Sequence, residues 1–203
     1  MSDTGGFINI GIVFSKEQSF NQSLYAVIDS FVSQGSNLIK LKFSENEEGT
    51  HWIEKQIINN KVTVDLSENY YPFITLSGNA LGMNSNEIKL SPVTEKDFHG
   101  FLIDIKWDDM FPLPHNSDTV VSRTNKLIRF LIDSYKLTAY SYAIVGSELD
   151  IELSPEDFMD KISSENYFPL ALVGDSSKVQ IHRGSHHIDG ITPQRKSIET
   201  INI

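Results

Sequence analysis

Residues 7–14, FINIGIVF, decide how the rest of the chain folds. The run is almost continuously apolar and holds several β-branched residues, which predicts a strand buried on both faces. Ser15 and Gln18 follow at the spacing of a capping box and predict the start of a helix, and Gly35 predicts its end. Residues 37–43, NLIKLKF, predict a second strand, so the helix should pack on a sheet. The apolar stripe of this helix comprises Phe20, Leu24, Val27, Ile28 and Phe31.

The remaining chain predicts more strands, a long helix and two short helices. Ser117 would cap the long helix, whose core face comprises Val120, Leu127, Ile128, Leu131 and Tyr135. The short helices would span Trp52 to Ile57 and begin at Ser154. The predicted strands are residues 61–66, 71–79, 87–90, 98–107, 139–145, 148–153, 169–174 and 178–183. We expect one α+β domain over residues 1–203, with a mixed or largely antiparallel sheet, two main helices packed on it and a frayed polar tail from residue 192 to 203.

The charge of the chain restricts the partners that it can bind. The 203 residues include 17 lysines and arginines and 27 aspartates and glutamates, which gives a net charge of −10. Such a chain repels nucleic acid and anionic membrane surfaces, because both are bound through lysine and arginine patches. A basic protein partner would be attracted by the same field, although a negative net charge also simply keeps proteins soluble.

Composition also restricts chemistry and location. The chain has no cysteine, so it has neither disulfides nor thiolate ligands nor a cysteine nucleophile. No apolar run approaches the roughly 20 residues of a membrane span. The N-terminal sequence MSDTGGFINIGIVF lacks the basic segment of a secretory signal. We therefore expect a cytoplasmic protein.

The stretch Gly146–Phe158, GSELDIELSPEDF, holds five carboxylates and no basic residue. Ser154, Pro155 and the two acids after them are typical of a helix start. The other three acids, Glu148, Asp150 and Glu152, alternate with Leu149, Ile151 and Leu153 and would share one face of a strand. Three acidic side chains on one face repel each other, so they must be exposed to water or to cations. A solvated outer face is the commoner explanation, a partner-binding surface is the main functional alternative, and a catalytic cleft fits least well.

Two other clusters could bind a metal ion. His182, His186, His187 and Asp189 occur within eight residues, but the neighbouring glycines indicate a turn, which does not enforce ligand spacing. Asp104, Asp108 and Asp109 lie at the end of a predicted strand, where they more simply cap a turn. The sequence contains no P-loop, GxGxxG, GxSxG or HExxH motif. We predict no catalytic residue, no cofactor and no metal site.

The order of the segments resembles the immunity proteins of bacterial polymorphic toxin systems. The resemblance extends from FINIGIVFS (7–15) through FHGFLIDIKWDD (98–109), a long helix and AYSYAIVGSELDIELSPEDF (139–158) to HHIDGIT (186–192). It implies a small, acidic, cytosolic α+β protein that neutralises a toxin by binding it. Such a family has no catalytic residues.

Three hypotheses follow. The first is a non-enzymatic toxin inhibitor that occludes a basic active site with an acidic surface; its candidate residues are Glu148, Asp150, Glu152, Asp108 and Asp109. The second is a metal-dependent hydrolase that uses Asp104, Asp108 and Asp109 with the histidines of residues 182–187. The third is a structural or regulatory module without a toxin partner.

Overall fold

The strand predicted from residues 7–14 lies near the centre of a ten-stranded sheet. The computed structural model describes residues 6–57, 59–60, 70–83, 86–164 and 168–203. Its strands are β1 Phe7–Ser15, β2 Leu38–Ser44, β3 Trp52–Gln56, β4 Tyr70–Ser77, β5 Glu87–Thr94, β6 Phe98–Lys106, β7 Tyr142–Ser147, β8 Leu170–Asp175, β9 Lys178–Arg183 and β10 Ser197–Asn202. Its helices are α1 Phe20–Ser33, α2 Trp107–Met110, α3 Ser117–Thr138 and α4 Pro155–Ser164, and a 3₁₀ turn spans Gly78–Leu81.

The strands follow the order β10-β9-β8-β7-β1-β6-β5-β4-β2-β3. Every pair of neighbouring strands is antiparallel. The α+β prediction is confirmed, and of the two predicted sheet types the antiparallel one is present. β1 and β2, which flank α1 in the sequence, are separated in the sheet by β6, β5 and β4.

β1 shows why the sheet has two different faces. Its side chains Ile8, Ile10, Ile12 and Phe14 are buried beneath α1 and α3, and we call this side of the sheet the helical face. The alternate residues Asn9, Gly11 and Val13 point to the opposite side, the second face. Both sides of β1 are covered, as its uniformly apolar sequence predicts.

Helices α1 and α3 pack on each other as well as on the sheet. The rings of Phe31 and Phe130 lie 4.6 Å apart between their centroids, and the hydroxyl groups of Ser30 and Ser134 are hydrogen-bonded to each other. The predicted apolar stripes of both helices are buried or packed against the core, which confirms them. These two helices thus cover the helical face.

The expectation of two main helices is not exact. Four helices are present in the described residues, and α4 packs on the second face, where Phe158 belongs to a smaller apolar cluster. Two helices also begin at other residues than the sequence predicts. Ser15 and Gln18 hydrogen-bond to each other in the turn before α1, which begins at Phe20. Asn116, not Ser117, caps α3 by accepting a hydrogen bond from Thr119 N at 3.0 Å.

Several strand predictions also need correction. Residues 52–56 form the edge strand β3 and not a helix, since their backbone pairs with β2. The tail predicted to fray supplies β10, which pairs with β9 along six residues. Trp107 belongs to α2 and not to the strand before it. The acidic residues 148–153 do not form a strand. The strand predicted at residues 61–66 lies outside the described residues.

Candidate functional site

The acidic segment, residues 148–153, leaves the sheet directly after β7. Glu148 adopts a left-handed backbone conformation with φ of 52°, which turns the chain away from β7. Its N–H donates to Phe7 O at 3.1 Å, and its carboxylate Oε1 accepts a hydrogen bond from Phe7 N at 2.6 Å. Glu148 is therefore exposed but also fastens the start of the segment to the start of β1.

The segment then crosses the second face with its apolar side chains facing the sheet. Ile151 is buried, and Leu149 and Leu153 pack against the same apolar cluster, whereas Asp150 and Glu152 are exposed. The alternation of acid and apolar residues is thus real, although it does not come from a strand. It comes from an extended segment that lies across a sheet, with one side toward the sheet and the other toward water.

Glycines in the sheet make room for this segment. A methyl group on Gly11 would lie 3.0 Å from the side chains of Ile144 and Ile151, and one on Gly100 would lie 3.1 Å from Ile151 Cδ1 and 2.9 Å from Ile12 O. All three distances are shorter than ordinary van der Waals contact. Strands β1 and β6 therefore need glycine at these positions to let the segment lie against them.

Helix α4 holds the other end of the segment. Ser154 Oγ accepts from Asp157 N at 3.1 Å and donates to Asp157 Oδ2 at 2.7 Å, which confirms the predicted helix start. The ring of Tyr142 stacks on that of Phe158 at 3.8 Å, and its hydroxyl donates to Leu153 O at 2.6 Å. Burial raises the pKa of Tyr142 above its ordinary value, so this hydroxyl keeps its proton. The acids are consequently presented from a backbone fixed at both ends.

The carboxylates of the exposed acids differ in whether they form hydrogen bonds within the protein. Asp150 Oδ1 accepts from Ile151 N at 2.8 Å, within the segment itself. Glu152 forms no hydrogen bond or ion pair with any other described residue. Asp150 and Glu152 therefore present carboxylate oxygens that are available to a partner, whereas the carboxylate of Glu148 is already engaged.

Asp104, on β6, borders the acidic segment on the second face. It accepts a hydrogen bond from Asn9 Nδ2 at 2.9 Å, and Asn9 Oδ1 accepts from Leu149 N at 3.0 Å. Burial raises the pKa of Asp104; the nearby Lys89 and the Asn9 bond oppose this shift, and the charges of Asp150 and Glu148 add to it. Asp104 thus serves as a structural link beneath the acidic segment.

Asp108 and Asp109 come to the same end of the sheet as Glu148. Trp107 N donates to Gly6 O at 3.0 Å on one side of the β1 start, while Glu148 N binds Phe7 O on the other. Asp108 lines a cleft of about 650 Å³ at this end, together with His115, Ser147 and Asp189. The fold therefore places Asp108 and Asp109 at the same end of the sheet as Glu148, whereas Asp150 and Glu152 follow the segment away from this end.

The residues proposed for a metal site do not converge. His182 lies on β9, four strands away from Asp104 on β6, which is about 19 Å across the sheet. Burial lowers the pKa values of His182 and His187. The carboxylate of Asp189 accepts hydrogen bonds from Ile191 N and from Thr192 N and Oγ1, which closes a turn. Throughout the described part of the chain, no group of three or more histidine, aspartate or glutamate residues could hold a metal ion.

A second set of exposed residues, the aromatic and lysine side chains of β2 to β5, was not predicted from the sequence. The alternation of Lys40 and Lys42 with apolar residues in NLIKLKF was the available signal. It went unused because residues 52–57 were interpreted as a helix, which hid the pairing of Trp52 with this strand.

Residues 5–194 match the model of a family described as Immunity protein 64. The chain belongs to this family, which confirms the resemblance to immunity proteins.

A Pseudomonas aeruginosa T6SS protein, PA0821, aligns with 11% identity and a TM-score of 0.35 over 79% of this chain and 45% of that chain. The chain thus spans less than half the length of that structure. No curated protein matches the chain significantly. Among the described helices, none is long and apolar enough to cross a membrane.

Proposed function

We propose that the chain is a non-enzymatic, cytoplasmic immunity protein that binds the toxin of a bacterial polymorphic toxin system and occludes its active site. Membership of the Immunity protein 64 family supports binding of a cognate toxin. The observation that carries the finer proposal is the acidic segment, which presents Asp150 and Glu152 outward from an anchored backbone.

The charge of the segment fits a basic toxin surface. Residues 146–160 hold six carboxylates and no lysine or arginine within a chain of net charge −10. Such a field accelerates the approach of a positively charged partner, and the effect is reduced by salt. Many toxins that cleave nucleic acid need a basic cleft to bind phosphate, and an acidic protein surface could fill that cleft. Asp108 and Asp109 would extend the contact around the end of the sheet.

The test is the rate at which the protein associates with the toxin domain encoded by the adjacent gene. Asp150→Lys combined with Glu152→Lys should lower the association rate about tenfold at low salt, and less at high salt. Glu148 is left unchanged because its carboxylate is bonded to Phe7 N. The matched control is Glu17→Lys with Asp29→Lys, which makes the same charge change at exposed positions on and near α1.

Circular dichroism shows whether each variant is folded. If a folded Asp150→Lys, Glu152→Lys variant associates as fast as the control variant, these acids form a solvated surface and do not contribute to binding. A wild-type protein that does not bind the toxin domain at all would remove the proposed function.

A further inference from the structure

One row of side chains crosses the second face from β3 to β6 and alternates rings with charges. It runs through Trp52, Lys42, Phe73, Lys89 and Asp104, each contributed by a different strand. Lys42 is opposite Phe73 in the register of β2 and β4, and Lys89 is opposite Asp104 in that of β5 and β6. The ammonium group of Lys42 lies 4.9 Å from the ring centre of Trp52, and that of Lys89 lies 4.7 Å from the ring centre of Phe73.

The part of this row on β3, β2, β4 and β5, which we call the open face, lies beyond the acidic segment and α4, and the turn between β2 and β3 borders it, where the Tyr71 hydroxyl donates to Glu47 O at 2.8 Å. The acidic segment and α4 cover the second face over β1, β6, β7 and β8. Trp52 is 44% exposed, and Tyr70 and Tyr71 at the start of β4 are 43% and 58% exposed. The Trp52 and Tyr71 rings lie 6.4 Å apart. Clustered tryptophan and tyrosine side chains that remain in solvent are typical of the centres of protein interfaces.

The strands of the open face carry more lysines than acids on this side, and the bordering turn adds Glu45, Glu47 and Glu48. These strands place Lys40, Lys42 and Lys89 on the second face, against Glu54 and Glu87. Lys40 is paired with Glu54 at 3.8 Å, but Lys42 and Lys89 have no ion-pair partner among the described residues. The rings beneath these two ammonium groups hold them in place without using their hydrogen-bond donors. They are therefore positioned to meet carboxylates from outside.

We propose that the open face is a second contact for the toxin, and that it receives an apolar segment of the toxin flanked by carboxylates. This inference rests on the proposed function. The open face is continuous with the acidic segment, because Asp104 at the end of the row links to Leu149 through Asn9. One partner could therefore cover both. Its surface would be basic opposite the acidic segment and acidic opposite the open face, and this pattern fixes the orientation in which the two proteins bind.

The experiment measures the dissociation constant for the toxin domain encoded by the adjacent gene, using full-length protein. Lys42→Glu with Lys89→Glu should weaken binding by at least about tenfold, as should Trp52→Ala, because each removes a side chain that the proposed contact would bury. The charge control is Lys55→Glu with Lys126→Glu, at exposed positions on the opposite side of β3 and on α3. The aromatic control is Tyr25→Ala, at an exposed position of α1. Both controls should change binding by less than about twofold.

The outcomes separate this inference from the function on which it rests. If wild-type protein does not bind the toxin domain, the proposed function fails. If wild-type protein binds, and Asp150→Lys with Glu152→Lys weakens binding while the folded open-face variants bind normally, only the present inference is overturned.

A fluorescent single-stranded RNA 12-mer gives an independent check, since rings and lysines on a sheet can also bind bases. Binding of this RNA that is lost on Trp52→Ala would overturn the assignment to a protein partner. Absence of RNA binding, together with the tenfold loss of toxin affinity, would support it. Thermal unfolding of each variant confirms that the loss is not caused by unfolding.

Discussion

The two faces of the sheet are covered in different ways. On the helical face, large side chains such as Ile10 and Phe14 meet two long helices. On the second face, glycines such as Gly11 and Gly100 admit a single extended segment that carries Ile151. A helix keeps its polar side about 10 Å from the sheet, whereas an extended segment holds its acids directly above it. The thin cover thus brings charged side chains close to a rigid support. In the part of the chain that the structure describes, this cover lies over β1, β6, β7 and β8.

The largest expected difference between the faces is in stability. Phe130→Ala should lower the free energy of unfolding by about 3–5 kcal/mol, because its ring packs on Phe31 between two helices that cannot readily close the gap. Ile151→Ala should cost about 2–3 kcal/mol, since the thin segment can settle toward the sheet. Urea unfolding of both variants measures the two values. An Ile151→Ala variant that loses more stability than Phe130→Ala would contradict this view of the two covers.

A smaller effect tests whether glycine makes room for Ile151. Gly11→Ala should cost about 1–3 kcal/mol, because the added methyl group would lie 3.0 Å from the Ile144 and Ile151 side chains. In an Ile151→Ala background the cost should fall by about 1 kcal/mol, since one of the two contacts is gone. A double-mutant cycle of urea unfolding measures this coupling. Strictly additive losses would show that the segment does not limit the size of residue 11.

The smallest effect concerns Asp104 beneath the acidic segment. Because the pKa of Asp104 is raised in the folded protein, the folded state holds this proton more tightly than the unfolded state. The ionised carboxylate of Asp104 therefore lowers the free energy of unfolding as the pH rises from the ordinary pKa of aspartate through the raised pKa of Asp104. Above the raised pKa this loss of stability is constant. Asp104→Asn should be more stable than wild type at pH 7, by less than about 1 kcal/mol, and the difference should vanish at a pH below 3.8. Unfolding at several pH values measures it, and a gain that is independent of pH would contradict this origin.

The sequence predicted the parts of the fold whose burial pattern is local. β1 and the apolar stripes of α1 and α3 were predicted correctly because each buries a continuous or regularly spaced set of side chains. β3 and β10 were missed because both are edge strands, and most of their residues are exposed and show no alternation. Their structure depends on backbone pairing with a neighbour, which a sequence pattern does not reveal.

The candidate site was predicted in part for a similar reason. The acids of residues 148–152 are adjacent in the sequence, so their common orientation could be inferred from alternation. The interpretation as a strand was wrong because a segment lying on a sheet shows the same period of two as a strand within it. The alternation of Lys40 and Lys42 indicates one strand of the open face, but the whole face depends on Trp52, Lys42, Phe73 and Lys89, which come from four strands whose order is set by the topology.

β1 is synthesised early but paired late. Its neighbours are β6, which begins at Phe98, and β7, which begins at Tyr142. At about 5–20 residues per second, a ribosome needs about 4–16 s to add residues 16–97. During this interval an apolar strand has two free edges and two bare faces, a state that promotes aggregation with other nascent chains. Chaperone binding to nascent β1 would therefore affect the yield of folded protein more than binding to any later strand, and no folded sheet centre can exist before β7 has left the ribosome.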